Sequence, residues 1–294
     1  MLRVSAPAKI NLFLHVGPRR PDGYHALESL VCFADTGDVL VCEQADALTL
    51  SLEGPFAQGL ATEADNLVLR AARALRDRAG VKCGAAITLT KNLPVASGIG
   101  GGSADAAAAL RGLAMLWNVT LAGEALQDIA LSLGSDVPVC LGSAPAMMTG
   151  RGERVAPVGA LPRCAMLLVN PGVAVSTAEV FRRLGRTAED VLAPVPPPPS
   201  AAHGLAGLLQ YLAQTRNDME AAASAIAPAI GDVLDALRQN GAALARMCGS
   251  GATCYGLYAS EAMAAKAAQA LSAAHPVWWV KATRIATPDI AARQ

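Results

Sequence analysis

Aromatic side chains are scarce in this sequence: Phe, Tyr and Trp make up 4% of it, although 53% of its residues are hydrophobic. A sizeable core must therefore be built from small aliphatic side chains, alanine above all. Net charge is lacking too. Lys and Arg number 24, as do Asp and Glu, so nothing electrostatic favours nucleic acid or an acidic membrane as partner. No C-x-x-C pair occurs among the seven cysteines, whose number is odd. This argues against a disulfide framework or a zinc site and leads us to expect a reducing cytoplasm. The four histidines show no H-x-x-x-H spacing. No apolar run reaches the ~18 residues of a membrane span. Lys9 and Asn11 interrupt the start, MLRVSAPAKINLFL, and no signal-peptide hydrophobic region follows.

Glycine, by contrast, is concentrated at one place. Residues 94–110 read PVASGIGGGSADAAAAL. Gly98, Gly100, Gly101 and Gly102 permit positive φ and close approach of a ligand to the backbone. Ser103 suits a helix N-cap, and the alanine run after it favours helix. A glycine loop feeding a helix N-terminus predicts an anion site, most often for phosphate. Neither standard phosphate motif fits. A Walker A loop needs lysine after its last glycine, where Ser103 stands here. A dinucleotide loop follows a strand directly, whereas Lys91 to Ser97 intervene after AAITLT.

The remaining pattern is mixed α and β. Strands are expected at 30–35 and 38–44 around a turn with Gly37, at 47–54, and over AAITLTKNL. Helices are expected at 65–80, capped by Asp65, and at 120–134, capped by Thr120 and stopped by Gly134. SDVPVC lies beyond that stop, and a hairpin is expected over 145–158. The second half should begin with the strand CAMLLVNP. A helix follows, with Ser176 and Glu179 as a capping box and Val175 with Val180 as a staple. A Pro-rich surface loop covers 193–202. Helices recur near 204–214, 228–239 and 261–273, and strands near 242–248, 253–258 and 277–285. Two halves result, with a boundary near 155–162.

Three segments combine polar groups with special backbone. PAKINL carries Lys9 and Asn11 at strand period two, so both face one way; on residues alone, a solvated strand face also explains them. In LGSDVPV, Asp136 follows a helix stop and equally suits a turn cap. In MCGSGATCYG, Gly249, Ser250 and Gly251 form a small-residue loop that a tight hairpin also explains.

Taken together, PAKINL, the glycine loop with its Pro94, and the G-S-G-A loop resemble the three motifs of the GHMP kinases, in family order and across essentially the whole chain. Those enzymes phosphorylate hydroxyls of small molecules with ATP. The resemblance implies an α+β fold of two domains with the active site in the cleft between them. A ribosomal-S5-like α/β domain that binds ATP would cover 1–158, and a ferredoxin-like α+β domain 159–294. RPDGYHALESL, SDVPVCLGS, NPGVAVSTAEVF and NDME further resemble the branch whose substrate is a cytidine diphosphate of methylerythritol, phosphorylated at its tertiary 2-hydroxyl on the route to isoprenoids.

By that resemblance, ATP lies over Pro94, Gly98, Gly100, Gly101, Gly102, Ser103 and Ala104, with Asn66 and Lys91 beside the adenosine. Asp136 is the general base and Lys9 its partner. Asn11, Thr177, Gly249, Ser250 and Gly251 are substrate neighbours, Tyr24 and Phe181 stack the cytosine, and His25 reads its edge. Mg²⁺ accompanies the ATP, with Ser103 as a contact. Small-molecule substrates, no nucleic acid, no membrane, and a monomer or homodimer are expected. The departures are Ala96 and Ser97, where glycine is common, and Ala104, where a second serine is common.

Overall fold

The computed structural model describes residues 1–58, 60, 65–192 and 194–287. In the first half, β1 (Leu2–Asn11), β2 (His15–Arg19), β3 (His25–Ala45) and β4 (Leu48–Glu53) precede α1 (Leu67–Ala79) and β5 (Gly84–Thr90). Three helices follow, α2 (Gly101–Leu116), α3 (Gly123–Leu133) and α4 (Val137–Gly142), then the hairpin of β6 (Ala146–Gly150) and β7 (Arg154–Pro157). These strands form one seven-stranded sheet in the order β4-β5-β3-β6-β7, with β1 and β2 also paired to β3.

The second half holds β8 (Ala165–Asn170), α5 (Thr177–Leu184), α6 (Gly204–Leu212), α7 (Glu220–Ile226), α8 (Ala229–Gln239), β9 (Leu244–Met247), β10 (Cys254–Tyr258), α9 (Glu261–Ala274) and β11 (Trp279–Arg284). Its four strands form an antiparallel sheet in the order β11-β8-β10-β9. Ile10, Leu30 and Cys32 from the first sheet and Phe13 from the β1–β2 connection share one buried cluster with Met166, Leu168, Tyr255 and Leu257 from the second sheet. The two halves are thus packed through a common apolar seam.

Alanine does the packing that aromatics would do elsewhere. Ala104 and Ala106 to Ala109 on α2 are buried against the large sheet. Small side chains let the helix approach closely: a Cβ on Gly112 would meet Val4 Cγ2 at 2.9 Å. Pro7 stands where β1 shifts register against β3, between Pro7 and Lys9, a position that tolerates a residue without an N–H.

Several expected boundaries move. No turn breaks the chain at Gly37: β3 runs through it as one 21-residue strand. A Cβ at Gly37 would lie 2.2 Å from Ala6 O, so the glycine permits close approach of β1 instead of a reversal. Asn66, not Asp65, caps α1, accepting from Val68 N at 2.9 Å. Ala122, not Thr120, stands at the α3 N-cap position. SDVPVC enters the short helix α4, whose Pro138 sits in the first turn where its missing N–H costs nothing. The helix α7 was not expected. The proline segment, apart from residue 193 outside the described residues, is coil to Ser200 and ends in a 3-10 turn at Ala201–His203, with Val195 packed on the shared seam.

Candidate active site

The glycine loop ends in Gly100, which is left-handed (φ 66°) at the N-cap position of α2. Ser103 is therefore the third helical residue and not the cap. No side chain caps this helix and no acidic residue lies in its first turn. The amides of Gly101, Gly102 and Ser103 precede the first intrahelical bond, from Ala104 N to Gly100 O at 2.8 Å. An uncapped N-terminus of a well-formed helix is a place for an anion.

That end of α2 opens on a cleft of about 510 Å³. Asn66, Lys91, Pro94, Gly98, Gly100, Gly101, Gly102 and Ser103 all line it, with Leu67, Val68, Leu89 and Val95 as its apolar wall. Ala104 does not; it is buried and its amide is already bonded. Lys91 lines the cleft but holds its ammonium between two buried carboxylates, Asp38 and Asp105, the latter at 2.7 Å. Burial pushes the Asp105 carboxyl up to about 7, and Lys91 only partly offsets this. Asp38 also accepts the amides of Asn92 (2.6 Å) and Leu93 (2.8 Å), fixing the segment that leads into the glycine loop. Neither aspartate was singled out in the sequence, where each reads as an ordinary charged residue.

A second cleft, of about 290 Å³, lies on the other side of the same loop. Ala96, Gly98 and Gly100 belong to both linings. Lys9 and Asn11 line it from β1, Asp136 from the start of α4, Thr177 and Phe181 from α5, and Gly249 and Ser250 from the second glycine loop. Lys9 is buried, and its Nζ donates to Asp136 Oδ2 at 2.8 Å and to Asn11 Oδ1 at 3.0 Å. Burial opposes its charge, but Asp136 and the thiols of Cys248 and Cys140 outweigh this and raise its pKa. Arg111 of α2 holds α4 in place, donating to Cys140 O at 2.7 Å and to Ser5 O at 2.8 Å.

The two glycine loops lie back to back. Thr253 N donates to Ser97 O at 3.1 Å, and a Cβ on Gly98 would meet Gly251 O at 2.5 Å. Cys248 Sγ sits at the junction, accepting from Asn11 N at 3.2 Å. Asn217 donates to Met247 O and Gly249 O, both at 2.8 Å, and so carries the second loop. Thr177 Oγ1 and Ser250 Oγ are bonded at 2.8 Å. Gly251 itself turns toward Met247 and Ile230 and is not part of the lining.

The aromatic residues are arranged differently from expectation. Tyr24 is 51% exposed and lies outside the lining of the second cleft, as does His25. His25 stacks on Phe181, with ring centroids 4.9 Å apart and planes 13° from parallel. The Arg151 guanidinium lies 5.1 Å from the Tyr24 ring centroid. Burial lowers the His25 pKa, which favours the neutral ring.

Known proteins resemble this chain in sequence and in fold. Residues 66–143 match the GHMP kinases N terminal domain, and residues 201–277 match the GHMP kinases C terminal model. A 4-diphosphocytidyl-2-C-methyl-D-erythritol kinase of Parvibaculum lavamentivorans is 54% identical over 94% of this chain and 96% of its own. That of Paramagnetospirillum magneticum is 51% identical over 94% and 96%. A crystal structure of 4-(cytidine 5'-diphospho)-2C-methyl-D-erythritol kinase superposes with a TM-score of 0.79 at 33% identity, covering 96% of this chain and 98% of its own. A homoserine kinase from Cytophaga hutchinsonii shares the fold, with a TM-score of 0.71 at 18% identity. The chain belongs to the GHMP kinase family, among its 4-diphosphocytidyl-2-C-methyl-D-erythritol kinases.

Proposed function

We propose that this chain transfers the γ-phosphoryl of ATP to the 2-hydroxyl of 4-diphosphocytidyl-2-C-methyl-D-erythritol, a step of isoprenoid synthesis by the methylerythritol phosphate route. One observation carries the reading: the Lys9–Asp136 pair faces a cleft that shares the glycine loop with a second cleft at a bare helix N-terminus. ATP belongs in the first cleft, with its phosphates toward the amides of Gly101, Gly102 and Ser103 and its adenosine against Asn66, Leu67 and Val95. The alcohol belongs in the second. Asp136 accepts the proton of the tertiary hydroxyl as it attacks, a task suited to a carboxylate within hydrogen-bond reach. Lys9 holds Asp136 oriented, and its ammonium stabilises the negative charge that develops on the transferring group. Asn11 and Thr177 position the substrate, and Tyr24, His25 and Phe181 take the cytosine.

Among the described residues no group of three His, Cys, Asp or Glu side chains is placed to hold a metal. Mg²⁺ fits all the same, because this ion is bound mainly by phosphate oxygens and water with few protein ligands. Ser103 Oγ, a hard oxygen donor on the first cleft, is the side chain that would reach it. When bound, the ion neutralises phosphate charge. No helix among the described residues is long and apolar enough to cross a membrane. The proposed substrates are small and charged, which suits a cytoplasmic enzyme acting as a monomer or homodimer without nucleic acid.

The test is direct. Incubation with MgATP and the cytidine substrate should give ADP and a new phosphomonoester in equal amounts by phosphorus NMR. ADP formation that does not depend on the alcohol would overturn the reading.

A further inference from the structure

We infer that Ser29 is a positioning residue for the reaction, acting on the Lys9–Asp136 pair through the amide of Asn11. Ser29 lies on β3, is buried, and sits behind Asn11 in the second cleft. Three hydrogen bonds run in a line. Ser29 Oγ donates to Phe13 O at 2.5 Å, Asn11 Nδ2 donates to Ser29 Oγ at 2.8 Å, and Lys9 Nζ donates to Asn11 Oδ1 at 3.0 Å.

The direction of this line is forced from both ends. A backbone carbonyl can only accept, so the single hydroxyl proton of Ser29 is committed to Phe13 O. Ser29 Oγ must then accept from its other neighbour, and only the NH₂ end of the Asn11 amide can supply that proton. The Oδ1 end consequently points to Lys9, which can only donate. Without Ser29 the NH₂ end of the amide loses its acceptor, and the side chain is held only at its Oδ1 end, by Lys9. With the amide reversed, an NH₂ group would face the Lys9 ammonium.

The consequence falls on Lys9. Two of its three protons are assigned, to Asn11 and Asp136. The third points along the remaining tetrahedral direction, which those two bonds define. By anchoring Asn11, Ser29 helps fix where the ammonium directs its third proton, and it does so from outside the three kinase motifs.

This inference rests on the proposed roles of Lys9 and Asp136, and the experiment separates the two. Kinetics would be measured for Ser29→Ala, Ser29→Cys, Ser29→Thr, Asn11→Ala and the Ser29→Ala/Asn11→Ala double variant, with Lys9→Ala as reference and a thermal melt for each. Ser29→Ala and Ser29→Cys should lower kcat by about 10- to 100-fold, as misplacement of a reacting group does, with KM for ATP within about twofold. Ser29→Thr keeps the hydroxyl and should restore kcat. The double variant should be no slower than Asn11→Ala alone, because both changes cut one line. If Ser29→Ala fails to fold, the contrast between the cysteine and threonine variants decides. Multiplying losses in the double variant, an unchanged kcat in Ser29→Ala, or a rise confined to KM for the alcohol would each overturn the proposal. An unchanged kcat in Lys9→Ala would overturn the assignment beneath it as well.

Discussion

Burial on its own would drive Lys9 toward neutrality, yet Asp136 and the neighbouring thiols raise its pKa above the ordinary 10.5. For a base raised on folding, the stabilising contribution is complete below the unfolded value and fades as pH climbs through the folded one. The lysine is therefore charged throughout the neutral range and loses its proton only in strong alkali. Asp136→Asn should leave the melt near wild type and reduce kcat by about 10²-fold or more, the range for a positioned base. Turnover within about threefold of wild type would remove Asp136 from the reaction. Asp105 offers the opposite case. Its carboxyl is raised from 3.8 to about 7, chiefly by burial. Its contribution to stability is then complete below the unfolded value and is lost as pH rises through about 7. Denaturant midpoints of wild type relative to Asp105→Asn should fall across that interval. Parallel curves for the two proteins would show that Asp105 titrates normally.

Glycine loops do different work at different places, and substitution separates the kinds. Gly80 ends α1 with φ 66° and has open space around it. Alanine there should cost about 1–2 kcal/mol, the penalty of left-handed backbone alone, and leave kinetics unchanged. Gly98 has φ 79° and lies against Gly251 O and Cys248 O. Gly98→Ala should lower the melting temperature further and raise KM for both substrates, because this residue lines both clefts. Equal melts for the two variants would show that the loops are not in compressive contact. Much of this was legible beforehand. The period-two placement of Lys9 and Asn11, the phosphate-type loop and nearly all the strands follow from local pattern. What was missed needed partners distant in sequence. Ser103 reads as a cap because serine prefers that position, but Gly100 takes it, since only its φ fits the turn. Asp38 and Asp105 look like surface charges until Lys91 is placed between them. Arg111, on an alanine-rich helix, carries no local sign that it fastens α4.

Because both clefts meet at one loop, binding far from the transferred phosphoryl can be used to align it. The cytidine end of the proposed substrate is such a remote handle, and we propose that it is received by Tyr24, His25 and Phe181, residues that phosphoryl transfer does not need. His25 already stacks on Phe181, so a planar base must either replace the imidazole on that face or extend the stack beyond it. Base–aromatic stacking is worth about 1–3 kcal/mol per base and tolerates any base. Selection of cytosine therefore needs hydrogen bonds to its edge, which penalise a base that leaves buried groups unpaired. The largely neutral His25 ring has one donor and one acceptor to offer. Phe181→Ala and Tyr24→Ala should raise KM for the cytidine substrate and spare KM for ATP. His25→Ala should also narrow the preference for cytidine over a uridine analogue. The wild-type enzyme should turn over methylerythritol 4-phosphate poorly, since that compound lacks the remote energy that holds the hydroxyl beside Asp136. Equal kcat/KM for the cytidine substrate, its uridine analogue and the truncated phosphate would mean that selection resides elsewhere, at the hydroxyl end alone.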